Sequence, residues 1–137
     1  MAEKIHIEVM RSQLGRALGT GAAKSGVHHW YAERVTSIAL VPLTLWFIYG
    51  VLAHVGAAQP VVAAWIGRPW NTVLLLALII ATFHHMQLGL QVVYEDYIDA
   101  KWAMNVAILA TKGLCFLLGL AAAIAVLRLA FAVPISG

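Results

Sequence analysis

Three long apolar runs, Val35–Val55, Val73–Tyr94 and Ala103–Leu127, dominate this 137-residue chain. Shorter connections separate them, and Lys112 is the only charge within the third. A helix needs roughly 20 apolar residues to cross a bilayer, and each run is long enough. Lipid offers the peptide groups no hydrogen bonds, so each run is predicted as a helix that satisfies its own backbone. The expected fold is all-α, a membrane protein of three transmembrane helices running up-down-up. One domain over residues 1–137 is expected, with residues 1–34 forming a polar, basic N-terminal segment.

Composition agrees, with 62% hydrophobic and 11% charged residues and a mean hydropathy of +0.85. Such a chain belongs in a membrane rather than in water. The N-terminal segment carries Lys4, Arg11, Arg16, Lys24 and Arg34 against Glu3, Glu8 and Glu33, whereas the first connection has only Arg68 and the far end only Arg128. The positive-inside rule therefore predicts a cytoplasmic N-terminus, with Lys101 and Lys112 returning to that side. No cleavable signal peptide is expected, because the first apolar run is too distant and too long. The single Cys115 can neither form an intrachain disulfide nor hold an iron–sulfur cluster by itself. "GTGAAKSG" lacks the spacing of a phosphate loop, and no nucleic-acid partner is expected. Ile5, Ile7, Val9, Met10 and Leu14 fit neither a helix nor a strand spacing well.

The chemistry lies in "HHMQLGLQVVYEDY", His84–Tyr97. On an ideal helix His85, Gly89, Val92 and Asp96 fall within about 60° of one another, which makes one stripe. His85 sits about 13 Å from the Tyr94 end of its span at roughly 1.5 Å per residue. An imidazole at that depth needs a partner. One candidate is a metal or haem iron; the other is a hydrogen bond to a Ser, a Thr or a carbonyl on a neighbouring helix. Gly89, one turn away, leaves room for a flat macrocycle. His84 points about 100° from His85 and cannot grip the same iron from the opposite side. His54 belongs to a different layer, about 28 Å from the start of the first span, and reads as an interfacial residue. A six-coordinate haem would therefore take its second ligand from another polypeptide. Tyr97, with Tyr94 and Trp102, has the position of an interfacial aromatic belt.

The spacing His85-x3-Gly89-x6-Asp96-Tyr97 resembles the small hydrophobic membrane-anchor subunit of succinate dehydrogenase, respiratory complex II. "SGVHHWYAERVTSI" (Ser25–Ile38) is similar to that family's Gly-Val-His-x5-Arg-x-Thr lead-in to the first span. The resemblance covers most of Ser25–Leu127 and implies a heterotetramer. A flavoprotein subunit oxidises succinate, an iron–sulfur subunit carries the electrons, and two membrane anchors hold haem b and a ubiquinone site.

By that resemblance His85 is an axial haem ligand, His28 and Arg34 contact haem propionates, and Tyr97 hydrogen-bonds a quinone carbonyl. Asp96 would tune Tyr97 or pass protons to the reduced quinone. Glu33 could compete with a propionate for Arg34, and His29 could replace His28. The resemblance implies a bacterial inner membrane, or a mitochondrial one. Two other readings keep the three spans: an anchor of a quinol:fumarate reductase, and a haem-free structural or transport subunit whose histidines only join helices.

Overall fold

The computed structural model describes residues 23–132, and these form four helices without strands. They are α1 (Ala23–Ala53), α2 (Gln59–Ile66), α3 (Pro69–Tyr97) and α4 (Lys101–Ala132). The basic residues Lys4, Arg11 and Arg16 and the Ile5–Leu14 stretch lie outside the described residues. Three helices, α1, α3 and α4, are long and apolar enough to cross a membrane.

α3 and α4 overrun their predicted spans at both ends, whereas α1 begins twelve residues before its span and stops at Ala53, two residues short of Val55. With 31 residues, α1 is about 46 Å long at roughly 1.5 Å per residue, against a hydrocarbon core of about 30 Å. Residues 23–34, expected as part of the polar segment, are the first three turns of α1. Nothing in that stretch breaks a helix, and a helix continues past the lipid boundary as long as its peptide groups bond within it. Pro42 lies inside α1, where it removes one backbone donor.

The short helix α2, eight residues long, is the element that the apolar runs did not predict. It lies within the first connection and is far too short to span. Gly56, at φ +78, makes the turn that leads into it, a conformation that only glycine adopts without strain. Pro60 stands in the first turn of α2 and Pro69 opens α3, positions where a missing N–H costs nothing.

α3 is the central helix. It packs against α1 on one side and α4 on the other, α1 and α4 do not pack on each other, and α2 rests on α3 and α4. Small residues permit the close approach of α3 and α4. A Cβ placed on Gly119 would come within 3.2 Å of the Phe83 ring, and Cys115 is buried at the same interface. Among the described residues only Leu75, Leu88 and Cys115 form a buried hydrophobic core. Leu45, Phe116 and Phe131 are typical of the many large apolar side chains left open. Such a surface is stable against lipid or other apolar chains, not against water.

Candidate functional site

His85 is tied to another helix. Its Nδ1 lies 3.0 Å from the Thr36 hydroxyl of α1. That hydroxyl also lies 2.8 Å from the Ala32 carbonyl and 3.0 Å from the Glu33 carbonyl of its own helix. Nε2 of His85 makes no hydrogen bond among the described residues. One turn along α3, a Cβ added to Gly89 would meet no atom within 4 Å. The stripe read from the sequence therefore has one edge fastened to α1 and an open flank at Gly89.

Towards the Tyr97 end the α1–α3 seam widens into a polar cavity of about 390 Å³, lined by Gly26, His29, Trp30, Glu33, Gln91 and Glu95. Gln91 Nε2 donates to Glu95 Oε1 across one turn, at 2.8 Å. Nε2 of His29 is buried without a hydrogen-bond partner among the described residues. His29 and Thr36 are seven residues apart and so within about 20° of one another on α1. His29, not His28, faces the seam.

His28, Arg34, Asp96 and Tyr97 are all exposed, and none bonds to His85. The Arg34 guanidinium carbon lies 5.4 Å from the centre of the Trp30 ring, a cation–π contact. No ion pair joins Arg34 to Glu33 among the described residues. Arg34 and Thr36 differ by only about 3 Å in rise but by about 160° around α1. Arg34 is thus near the level of His85 on the far flank of the helix, while His28 is about 12 Å along α1 from Thr36. Tyr97 is 83% exposed and stands about 18 Å along α3 from His85. Within one chain these residues are spread over different flanks of α1 and along α3, and they do not enclose a pocket.

The other histidines have different settings. His84 is exposed and lines a groove of about 300 Å³ between α3 and α4, with Gln87, Cys115 and Phe116. His54 lies just beyond α1 and donates from Nδ1 to the Gly50 carbonyl at 2.8 Å. Its ring centre is 5.0 Å from that of Trp65. Of the tyrosines predicted for the aromatic belt, Tyr94 is fastened to Thr111 of α4 at 2.9 Å, whereas Tyr97 is free of such a tie. No cluster of three His, Cys, Asp or Glu side chains among the described residues could hold a metal ion.

The family model of the succinate dehydrogenase/fumarate reductase transmembrane subunit matches residues 8–127. The chain belongs to that family. It is 40% identical over 102 residues to the succinate dehydrogenase hydrophobic membrane anchor subunit of Rickettsia bellii, which covers 74% of this chain and 82% of that one. The corresponding subunit of Rickettsia conorii is 34% identical over 77% of this chain and 84% of its own. That of Paracoccus denitrificans is 31% identical over 59% and 63%. No solved structure matches. The family resemblance carried by the His28–Thr36 and His85–Tyr97 motifs is thereby borne out, and this family member is a membrane protein with three spanning helices.

Thr36 received no role from its motif, because only the packing of α1 on α3 brings it to His85. Trp65 and Gly50 likewise escaped notice. A Cβ on Gly50 would fall 2.5 Å from the Trp65 ring, a contact between two helices that has no signal in the local sequence.

Proposed function

We propose that this family member is the small hydrophobic anchor of a succinate:ubiquinone oxidoreductase, sharing haem b with a second anchor subunit and forming part of the ubiquinone-reduction site. The named relatives are succinate dehydrogenase anchors, which favours this direction over quinol:fumarate reduction. Its partners are then the second anchor, the iron–sulfur subunit and the flavoprotein subunit. The Rickettsia and Paracoccus relatives favour a bacterial inner membrane, and the basic N-terminal segment favours a cytoplasmic N-terminus.

His85 carries the reading. Its Nδ1 is occupied by Thr36, its Nε2 has no partner among the described residues, and the neighbouring Gly89 leaves its flank open. A haem fits this arrangement: one bare imidazole nitrogen, a surface without a Cβ beside it, and no second ligand from the same helix. Haem b, when bound, supplies a one-electron carrier beside the quinone. Arg34 contributes a planar fork for a propionate at nearly the level of His85. Reaching it requires the guanidinium to extend around the flank of α1. His28, further along the helix, is the weaker propionate contact.

At the end of α3, Tyr97 presents its phenol as a donor to a quinone carbonyl, which gains negative charge as electrons arrive. Asp96, on the adjoining face, is open to solvent and suited to delivering protons to the reduced quinone.

The test is an absorption spectrum of the purified complex with a paired substitution. The wild type should show reducible b-type Soret and α bands, His85→Ala should lose or weaken them while still inserting, and His84→Ala should keep them. Full haem occupancy with an unchanged bis-histidine spectrum in His85→Ala removes the assignment. Absence of haem from the wild-type complex leaves the haem-free structural subunit as the reading.

A further inference from the structure

We propose that Thr36 is the positioning residue for His85, its hydroxyl fixing the tautomer in which Nδ1 carries the proton and Nε2 is bare; this rests on the haem reading above.

The count of protons around the hydroxyl decides the tautomer. A threonine hydroxyl has one proton to give and two lone pairs that accept. Three groups lie within hydrogen-bonding distance of the Thr36 oxygen: the Ala32 carbonyl at 2.8 Å, the Glu33 carbonyl at 3.0 Å and His85 Nδ1 at 3.0 Å. Both carbonyls can only accept, so the single hydroxyl proton belongs to them as a shared bond. His85 is the one neighbour that can donate. All three contacts are hydrogen bonds only if the imidazole proton sits on Nδ1. A neutral imidazole carries one ring proton, so Nε2 is then left with a lone pair, the form in which histidine binds a metal.

Thr36 is well built for this. In a helix a threonine has few rotamers, and the favoured ones place Oγ1 against the carbonyls three and four residues back. The hydroxyl is therefore aimed before His85 arrives, and the ring is oriented by a stiff partner. Ser37 makes the same kind of bond, to the Glu33 carbonyl at 2.7 Å, but none across to α3. Back-bonding alone does not make a partner for His85; the position of Thr36 on the seam does. The acceptor is also neutral. A hydroxyl draws the Nδ1 proton less than a carboxylate would, which leaves the ligand moderately basic.

The experiment uses the assembled four-subunit complex and reads haem content, the haem midpoint potential and the low-spin ferric electron-spin-resonance signal. Thr36→Val keeps the shape and removes the acceptor. Loss of partners in this position typically costs about 10–100-fold in metal affinity. Because the hydrogen bond strengthens the ligand towards ferric iron most, the potential should rise, by about 59 mV for a tenfold selective loss of ferric binding. Thr36→Ser, which retains the hydroxyl, should return the potential and the resonance signal to wild type. A Thr36→Val complex with wild-type haem content, potential and signal overturns the proposal. If the valine complex does not assemble, Thr36→Ala against Thr36→Ser makes the same comparison, and equal potentials in the two overturn it. Failure of the haem reading itself is separate, since it appears as haem retained in His85→Ala or lacking in the wild type.

Discussion

His54 and His85 use the same ring nitrogen for opposite purposes. At the end of α1, His54 Nδ1 bonds the Gly50 carbonyl four residues back, at 2.8 Å. Carbonyls in the last turn of a helix lack intrahelical partners, and a side chain that meets one satisfies a local need of the backbone. In the middle of α3 the backbone has no such need. His85 instead meets a side chain 49 residues away, on a different helix. The nearby glycines differ in the same way. Gly50 is covered by Trp65 of the same chain, whereas nothing in this chain approaches the position of a Cβ on Gly89. Near His54 the glycine is covered by the chain's own indole, beside an apolar cavity of about 590 Å³. Around His85 and Gly89 a polar group is oriented and a surface is left bare, the arrangement expected where something from outside the chain is received.

The largest effect that separates the two regions should come from Tyr97→Phe. It should cut ubiquinone reduction while succinate oxidation by a soluble artificial acceptor continues. Removing a preorganised donor from a developing oxyanion can cost about 10²–10³ in rate, and a partly wet site should lose less. Haem content should not change, because Tyr97 is about 18 Å along the helix from His85. Wild-type quinone reductase activity in the assembled variant returns Tyr97 to the aromatic belt. His54→Ala should leave both activities and the haem spectrum intact.

The glycines make the next comparison. Gly50→Ala puts a methyl group into the Trp65 indole, and overpacking of this kind costs about 1–3 kcal/mol. A lower thermal midpoint for the detergent-solubilised complex, with a normal haem spectrum, is expected. Gly89→Leu should reverse the pattern, disturbing haem content more than the helix packing of the chain. If both substitutions act alike on haem and stability, the contrast between a closed and an open glycine fails.

Tyr94→Phe is the smallest step. It removes the bond to Thr111, and side-chain hydrogen bonds between membrane helices average about 0.6 kcal/mol. A slight loss of thermal stability is expected, with quinone reduction unchanged. A large loss of quinone reduction would mean that Tyr94 shares the role assigned to Tyr97.

The three spanning helices were legible because the cost of an unbonded peptide group in lipid makes any long apolar run a helix, whatever it packs against. The depth of His85 and its stripe with Gly89 followed from helical spacing alone, and the paired motifs from their resemblance to the family. Other features required the third dimension. α2 is an eight-residue apolar helix within the first connection, too brief for a hydropathy pattern to distinguish from a loop. Trp65 on Gly50, Tyr94 on Thr111 and Thr36 on His85 join separate helices. Each depends on how two helices are rotated and offset against one another. The sequence read along the chain determined that His85 lies deep and must find a partner. Only the packing of α1 against α3 decided that Thr36 meets one ring nitrogen and leaves the other bare, because a helix's own periodicity fixes the angle between its residues but not the face that its neighbour covers.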